Sequence, residues 1–362
     1  MRFPEFTGEW EKFGFADHLE RLENGANYDT NATEGLPMSR IETISSYNIN
    51  YDKVGHCNSR NIEHYKMKYG DILFSHINSM SHIGKTAYYY AEQPLYHGMN
   101  LLLIRCKDNL NSLFFYYLLN TPLFLRYCQI YAKQAVNQAS ISTSDIKRIK
   151  LSLPTLHEQN KIASFISVID QRIATQNKII EDLKTLKSAI SAKLLHNSCW
   201  NDMKIHEICH TLNYKQYIAK NIQETGEFPV IQQGDNPICG YSHETPFDNY
   251  KNVLLFGDHT LSLYKPNSKF LLATDGIKVL LPTGHIKRDF LYYLLEANMP
   301  KSEGYKRHYS ILKEVNVKVP PIEEQEKISG VFIAIDDKIA LEQLLKSSYK
   351  AQKAFLLQQM FI

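Results

Sequence analysis

The chain has 362 residues, 44% of them hydrophobic and 22% charged, and is long enough for two or three domains with their own cores. The net charge of +3 is only mildly basic, so charge alone does not indicate a nucleic-acid partner. No apolar run approaches the ~18 residues that span a bilayer. The six cysteines form no C-x-x-C pair and no signal peptide is visible, which predicts reduced thiols and a cytoplasmic location.

The first globular block is predicted to span residues 1–151 and to mix strands with helices. Gly70–Ser75 is typical of a turn entering a strand, and Thr86–Tyr90 of a second strand rich in β-forming residues. Leu113–Tyr131 has a helical pattern that Pro122 should break, because proline cannot continue a helix. The block is expected to end with a polar loop, Lys133–Ser144, and a strand, Ile149–Leu153.

A long helix is predicted next, within residues 152–196. Pro154 should end the preceding strand, and Glu158 lies in the first turn, where the helix dipole favours an anion. Apolar residues then recur at alternating spacings of three and four, as on the contact seam of a coiled coil. The seam positions are Ile162, Ile166, Ile169, Ile173, Ile180, Leu183, Ile190 and Leu194, with Gln176 as a polar member.

A second globular block is predicted over residues 197–317. Its strands are expected at Phe228–Gln232, Val253–Phe256, Phe270–Ala273 and Ile277–Leu281. A helix from Lys287 to about Ala297 contains the sequence F-L-Y-Y-L-L, which matches F-F-Y-Y-L-L at residues 114–119 of the first block. The match indicates that a duplication extends into the globular blocks, although their loops differ.

The last segment, residues 318–362, repeats the first long helix. The sequence L-P-T-L-H-E-Q-N-K-I from Leu153 corresponds to V-P-P-I-E-E-Q-E-K-I from Val319, and the match continues without a gap to Lys187 and Lys353. The second seam is assigned to Ile328, Phe332, Ile335, Ile339, Leu345 and Tyr349, with Glu342 in the place of Gln176. Two helices of equal length and matching register predict a coiled coil, with a polar layer that fixes the register. The alternative, that each helix packs only on its own block, stays open.

Motifs for catalysis are absent. His206–His210 is a literal H-E-x-x-H, but the helical stretch is short and no third ligand follows, so we assign no metal there. The chain also lacks a phosphate-binding G-x-x-x-x-G-K-[ST] loop and a G-x-S-x-G nucleophile elbow. A reader or scaffold is therefore favoured over an enzyme.

The repeated L-P-x-L-x-E-Q-x-K-I-A opening, the I-D-x-x-I step and the lysine-rich continuation resemble the conserved regions of the specificity subunit of type I restriction-modification systems. The globular blocks share the resemblance. Arg2–Phe6 with Trp10 resembles the family's usual entry to a target recognition domain, and Gly70–Leu73 with Ile83–Lys85 resembles one common class of that domain. Phe228–Gln232, Gly257–Thr260 and Tyr305–Tyr309 are similar to another. The resemblance covers nearly the whole chain.

This resemblance implies an α/β (α+β) fold with a pseudo-twofold internal repeat, in which two target recognition domains are separated by two long antiparallel coiled-coil helices. Each domain would read one half of a bipartite double-stranded DNA target, and the helices would set the gap. Two modification subunits would bind S-adenosylmethionine and methylate adenine, and motor-nuclease subunits would use ATP and Mg. The chain itself would be non-catalytic, without a cofactor, a metal or a membrane partner.

Contacts to DNA phosphates need Lys or Arg, and base edges are read by Asn, Gln, Arg, Ser or His. The predicted contact residues of the first block are His76, Asn78, Ser79, His82, Lys85, Gln134, Asn137, Gln138 and Ser140. Those of the second are Gln232, Gln233, His259, Lys278, Lys306, Arg307, His308 and Tyr309. For each residue, an ordinary solvated loop position is an equally good interpretation.

The partner subunits are expected to dock on the outward faces of the long helices. The residues assigned to these faces are Lys161, Arg172, Lys178, Lys184 and Lys187 in the first copy, and Lys327, Lys338, Lys346, Lys350 and Lys353 in the second. Because the copies are similar, two identical partners related by a pseudo-twofold axis are predicted.

Two rival classes of protein remain. A fused modification-and-specificity enzyme would need methyltransferase motifs upstream, and a sequence that opens on the entry to the first block is expected to exclude it unless it is a fragment. A coiled-coil adaptor with two ligand-binding heads and no DNA role is the second alternative. Salt-dependent binding to duplex DNA would distinguish it from a DNA reader.

Overall fold

The structure is a computed structural model that describes residues 2–27, 32–45, 47–58, 61–134, 138–302, 304 and 306–361. It divides into two compact units. Unit 1 comprises Met1–Thr175 and Leu345–Ile362, and unit 2 comprises Gln176–Leu344. Within the described ranges, no helix is both long enough and apolar enough to cross a membrane.

The strands of unit 1 are short. They are β1 (Glu11–Gly14), β2 (Leu19–Asn24), β3 (Leu36–Met38), β4 (Ile44–Ser45), β5 (Asn48–Ile49), β6 (Gly55–Cys57), β7 (Ile72–Phe74), β8 (Ile77–Asn78), β9 (Thr86–Tyr88), β10 (Leu102–Cys106), β11 (Lys133–Gln134), β12 (Ala139–Ser140) and β13 (Lys150–Leu153). The helices are α1 (Ser112–Leu119), α2 (Pro122–Tyr131), α3 (Thr143–Lys147) and the long α4 (Leu156–Leu194), which continues into unit 2. Short 3₁₀ turns lie at Ile41–Thr43, Tyr51–Lys53 and Glu63–Tyr65.

The core of unit 1 is built around a four-stranded sheet in the order β2-β10-β7-β9. Leu102, Leu103 and Ile104 of β10 are all buried, because both faces of the sheet are covered by separate apolar clusters. Helix α1 packs its aromatic run against the larger cluster. The predicted break in the helical pattern is confirmed: α1 ends at Leu119, and Thr121 accepts a hydrogen bond from the backbone N–H of Phe124 to cap α2, whose first residue is Pro122.

Unit 2 contains β14 (Asn201–Lys204), β15 (Cys209–Thr211), β16 (Phe228–Ile231), β17 (Ile238–Ser242), β18 (Leu254–Gly257), β19 (Leu263–Tyr264), β20 (Leu271–Leu272), β21 (Ile277–Pro282) and β22 (Asn316–Val319). Its helices are α5 (Ile205–Ile208), α6 (Arg288–Ala297), α7 (Tyr309–Leu312) and the long α8 (Ile322–Met360), which continues into unit 1. Further 3₁₀ turns lie at Lys215–Tyr217 and Tyr250–Asn252.

The two units share one topology. The sheet β15-β21-β18-β19 of unit 2 repeats the order of β2-β10-β7-β9, and the pair β14–β22 repeats β1–β13. The smaller sheets differ, because β11-β12-β8 is wholly antiparallel whereas β17-β16-β20 contains a parallel pair. The predicted internal repeat and the predicted mixture of helices and strands are therefore confirmed.

The long helices α4 and α8 have 39 residues each and run antiparallel in each unit. In unit 1, Asp170 contacts Lys353 while Arg172, further along α4, contacts Tyr349, which lies earlier on α8. In unit 2, Lys187 contacts Asp336, and Ile190 packs in the same apolar cluster as Phe332.

The predicted seam is correct at most positions. Ile162, Ile166, Ile169, Ile180, Ile328 and Phe332 are buried, as are the polar residues Gln176 and Glu342. The assignment of Leu345 is wrong, because its side chain is 37% exposed. Strict three-four spacing from Glu342 leads instead to Lys346, which is half-buried. The seam position is therefore determined by the helical period, and the neighbouring leucine does not occupy it although it is more hydrophobic.

Three further predictions need correction. The segment Lys133–Ser144 is not a plain loop, since it contains β11, β12 and the start of α3, whose backbone pairing an exposed polar sequence does not reveal. Lys187 and Lys353 do not face outward: their side chains are only 18% and 20% exposed and are ion-paired. Lys346, also assigned outward, is half-buried for the reason given above.

Candidate nucleic-acid interface

In unit 1, the two predicted contact loops meet in one small sheet. The central strand β12 pairs with β8 on one side, where Ala139 lies opposite Asn78, and with β11 on the other, where Ser140 lies opposite Lys133. This pairing brings together two loops that are far apart in the sequence. Gln134, Gln138 and Ser140 are exposed there, whereas Asn137 lies outside the described residues.

The turn between β8 and β9 carries a network of polar side chains. Ser79 Oγ lies 2.8 Å from His82 Nδ1, and Asn78 Oδ1 accepts a hydrogen bond of 2.7 Å from the Ser79 backbone N–H. Gly84 has a φ of +83°, and a Cβ placed on it would lie 2.9 Å from the Cβ of Cys128. Glycine is therefore required where the turn presses on α2. The turn is fixed on the core and presents hydroxyl, amide and imidazole groups to solvent.

His76 lies behind this turn. Its side chain is 6% exposed, and burial lowers its pKa to about 4, so the ring is neutral near pH 7. Nε2 lies 3.5 Å from Asn24 Nδ2, and Nδ1 has no hydrogen-bond partner among the described atoms. A neutral buried ring cannot attract phosphate by charge, and its place in the structure suits support of the loop.

Two lysines supply positive charge beside the small sheet. Lys85 is half-buried and makes no ion pair within the part of the chain that the structure describes. Lys133 was not among the predicted contact residues, yet its side chain is 82% exposed, and within the described ranges it pairs with Asp145 alone, at 4.0 Å. Its position next to Gln134 in a polar loop was the sequence signal that could have identified it.

In unit 2, three segments that are distant in the sequence come together: the one that follows β16, the one that follows β18 and the one that precedes α7. The backbone N–H of His259 donates to Gln233 Oε1 at 3.1 Å, and His259 Nδ1 lies 3.1 Å from the carbonyl oxygen of Lys306. Gln232 is exposed and donates its side-chain amide to the Asn236 carbonyl. Lys306 and Arg307 are exposed as well, whereas Tyr305 of the resembling run lies outside the described residues.

The remaining predicted residues of unit 2 support these segments from beneath. Lys278 Nζ donates to the Tyr214 hydroxyl at 3.0 Å and lies 3.8 Å from Asp258 Oδ2. His308 is fully buried and its backbone N–H donates to the Asp258 carbonyl, while the Tyr309 N–H donates to Asp258 Oδ1 at 2.8 Å. Burial also raises the pKa of Tyr309 to about 12, so its hydroxyl stays neutral. Asp258 is thus the centre that orders the loop.

The H-E-x-x-H sequence does not form the single helix on which that motif holds a metal. Helix α5 ends at Ile208 and β15 starts at Cys209, so His206 and His210 do not share a helix. His206 Nδ1 lies instead 3.0 Å from the Lys313 carbonyl oxygen. Among the residues that the structure describes, no group of three or more His, Cys, Asp or Glu side chains could hold a metal ion.

Comparison with protein families gives two matches within this chain. Residues 9–185 and 197–348 both match the type I restriction modification DNA specificity domain. A Methanocaldococcus jannaschii protein named as the type I restriction enzyme MjaX specificity subunit is 31% identical over 397 aligned positions, which cover 96% of this chain and 92% of that protein. The MjaVIII specificity subunit of the same organism is 24% identical over 254 positions, 57% of this chain and 60% of that protein.

Solved structures show the same fold. The S subunit of a type I restriction-modification system from M. genitalium has a TM-score of 0.66 at 18% identity, with 100% of this chain and 99% of that chain covered. A chain from a structural study of complex assembly and conformational transition in the type I R-M system has a TM-score of 0.58 at 16% identity, covering 98% and 97%.

Proposed function

Since this chain belongs to the type I restriction-modification DNA specificity family, whose role is to supply DNA sequence specificity, we propose that each unit reads one half of a bipartite duplex target. One observation carries the proposal. One predicted contact loop occupies the same place in both copies of the fold: residues 76–85 lie between β7 and β9 in unit 1, and His259 lies between β18 and β19 in unit 2. Equivalent loops with different sequences suit two different half-sites.

The predicted residues at the loop surfaces, some exposed and some half-buried, are assigned direct contact with DNA together with Lys133. Phosphate contacts fall to the positive side chains Lys85, Lys133, Lys306 and Arg307. Base edges fall to the polar side chains Asn78, Ser79, His82, Gln134, Gln138, Ser140, Gln232, Gln233 and His259, since amides, hydroxyls and imidazoles can donate to or accept from base edges. His76, Lys278, His308 and Tyr309 support the loops from within.

The partner subunits carry the chemistry in this proposal. Two modification subunits bind S-adenosylmethionine and dock on the long helices, and motor-nuclease subunits supply ATP- and Mg-dependent cleavage. The chain itself is a non-catalytic member of the complex and needs no cofactor. Exposed basic residues at equivalent positions of α4 and α8 support two equivalent docking sites, namely Lys161 and Lys327, Arg172 and Lys338, and Lys184 and Lys350. Lys178 is exposed as well, although its counterpart in α8 is Leu344.

The test is sequencing of methylated DNA from cells that express this chain with its modification subunit. We expect adenine methylation in one motif made of two specified halves around an unspecified gap. A variant with Gln134 and Ser140 replaced by alanine should change or relax one half only, and the Gln232→Ala/His259→Ala variant should change the other. A motif that is unaltered by both variants would contradict the loop assignment. Binding to duplex DNA that does not weaken with salt would contradict the DNA role itself.

A further inference from the structure

Each unit holds its globular block on the helix pair through the same set of polar contacts. In unit 1, Asp170 of α4 accepts a hydrogen bond of 2.8 Å from the hydroxyl of Tyr117 in α1. Its other carboxylate oxygen lies 2.6 Å from Nζ of Lys353 in α8, which is also 5.2 Å from the centre of the Tyr117 ring. One carboxylate therefore joins three helices.

Unit 2 repeats this arrangement with the two long helices exchanged. Asp336 of α8 accepts a hydrogen bond of 3.0 Å from the hydroxyl of Tyr293 in α6, and it lies 2.8 Å from Nζ of Lys187 in α4. Lys187 is 5.1 Å from the Tyr293 ring centre and is paired in addition with Glu296 at 2.8 Å. The geometry is the same although only the helix sequences, and not the loops, are alike.

A buried glutamine makes a second attachment in each unit. Gln159 Oε1 accepts a hydrogen bond of 2.9 Å from the backbone N–H of Asn111, at the start of α1. Its Nε2 donates a hydrogen bond of 3.0 Å to the Pro154 carbonyl. Gln325 makes the same two contacts. It accepts a hydrogen bond of 2.9 Å from the Lys287 backbone N–H at the start of α6, and it donates one of 2.9 Å to the Pro320 carbonyl. Each short helix is thus tied to a long helix at its start and again further along its length.

Apolar packing alone would leave this junction poorly defined. Leucine and isoleucine at successive seam positions are interchangeable when one helix slides by a heptad, which is why polar seam residues are the ones that specify register. The ion pairs are partly exposed, with 29% of the Asp170 side chain and 37% of the Asp336 side chain open to solvent, and such pairs add little net stability. Contacts that recur in two copies whose loops have diverged, at a place where leucine would suffice for stability, point to a role in geometry.

We propose that these contacts form two clamps, Tyr117–Gln159–Asp170–Lys353 and Tyr293–Gln325–Asp336–Lys187. Each clamp fixes the orientation of one reading block on the helix pair, and the two together restrict the protein to a single gap between half-sites. The residues are positioning residues that touch no DNA. The inference about the gap rests on the proposed function, whereas the inference about orientation does not.

The test compares three full-length variants. Lys187→Met/Lys353→Met removes both charges at nearly constant side-chain length, Lys187→Arg/Lys353→Arg restores them, and Lys193→Met is a control at an exposed lysine on α4. Hydrogen exchange of the isolated chain, followed by mass spectrometry, should show amides of α1 and α6 exchanging about tenfold faster in the Met variant, because local opening becomes easier. Exchange in β10 and β21 should stay unchanged, and the Arg variant and the control should resemble the wild type.

The second measurement is the gap distribution of methylated sites in the presence of the modification subunit. The Met variant should methylate the same half-sites at gaps one base pair shorter or longer in addition to the native gap. Unchanged exchange in α1 and α6 would overturn the clamp, and a single native gap despite faster exchange would overturn its effect on spacing. If the wild type directs no methylation, the proposed function fails while the exchange data still decide the clamp. Tyr117→Phe/Tyr293→Phe, which removes only two hydroxyl groups, replaces the Met variant if that variant does not fold.

Discussion

Lengthening both long helices by four residues should lengthen the gap between the two DNA half-sites. Four helix-forming residues are inserted after Gln176 in α4 and after Glu342 in α8. These positions are equivalent in the internal repeat, since both are buried polar seam residues. They lie close to the points where each helix passes from one unit to the other. Both clamps and both reading blocks stay unaltered in sequence.

The expected change follows from helix geometry. Four residues advance an α-helix by ~6 Å and turn it by roughly 40° beyond one full turn. One base pair advances DNA by ~3.4 Å and turns it by about 35°, given 10–10.5 base pairs per turn. The rotation therefore matches one added base pair, and the translation lies between one and two. We expect the gap to grow by one or two base pairs.

The assay is sequencing of methylated DNA, with the single insertion in α4 as a comparison. Lengthening α4 alone leaves α8 too short to keep its C-terminal anchor, formed by Leu356, Leu357, Met360 and Phe361 in the core of unit 1. Since burial of one such side chain contributes ~1.5–3 kcal/mol, loss of the anchor should cost several kcal/mol, seen as a lower unfolding midpoint. The reasoning is refuted if the paired insertion gives an active protein with an unchanged gap, or new bases with the native gap.

Four further outcomes are expected. The isolated chain should show no S-adenosylmethionine turnover, ATP hydrolysis or DNA cleavage, and radiolabel transfer to DNA by the pure protein would contradict this. Native mass spectrometry should find two modification subunits per chain at saturation. A stable one-to-one complex at saturation would contradict this prediction. The Lys306→Ala/Arg307→Ala variant should weaken binding similarly for all sequences and reduce the slope of log K against log salt by up to about two units, since each lost phosphate contact removes ~0.9. Burial lowers the pKa of His97 to about 4, so between about pH 6.5 and pH 4 the unfolded chain binds a proton that the folded protein does not. The free energy of unfolding therefore falls as the pH drops through this range. Urea unfolding of His97→Gln should show a smaller fall in this free energy between pH 7 and 4, by on the order of 3 kcal/mol, and equal falls in both proteins would contradict the prediction.

The sequence predicted those features that depend on periodicity and repetition. Two proline-terminated strands, each leading into a helix of equal length, can be found by comparing the chain with itself, and the burial of Ile166 or Phe332 follows from a three-four spacing. The error at Leu345 came from preferring an apolar residue to the strict period, which leads to Lys346. Lys187 and Lys353 fall on the same period, and it was their charge that led to their outward assignment.

The candidate interface was less predictable, because burial within a loop depends on contacts from distant segments. His76 and His308 have the side-chain chemistry of base-reading residues, and nothing in their local sequence shows that they are buried. Lys278 looks like a free phosphate ligand until Tyr214 and Asp258, from other strands and loops, are placed beside it. Pairing of β11 with β12 and β8 is likewise invisible in a polar sequence, yet it is what brings the two loops of unit 1 together.

The two clamps should differ in strength, and the difference comes from one residue. Glu296 follows the F-L-Y-Y-L-L run of α6 and gives Lys187 a second carboxylate. Burial alone would lower the pKa of Lys187, but hydrogen bonds from its ammonium group to Asp336 and Glu296 hold that pKa above the ordinary value. The corresponding residue of unit 1 is Asn120, whose side chain accepts from Thr86 and donates to the Tyr116 carbonyl instead. Lys187→Met should therefore speed exchange in α6 more than Lys353→Met speeds it in α1. Glu296→Gln should reduce this difference, since it leaves Lys187 with one charged partner, as Lys353 has. Equal effects of the two single Met variants would mean that the second carboxylate adds nothing to the clamp.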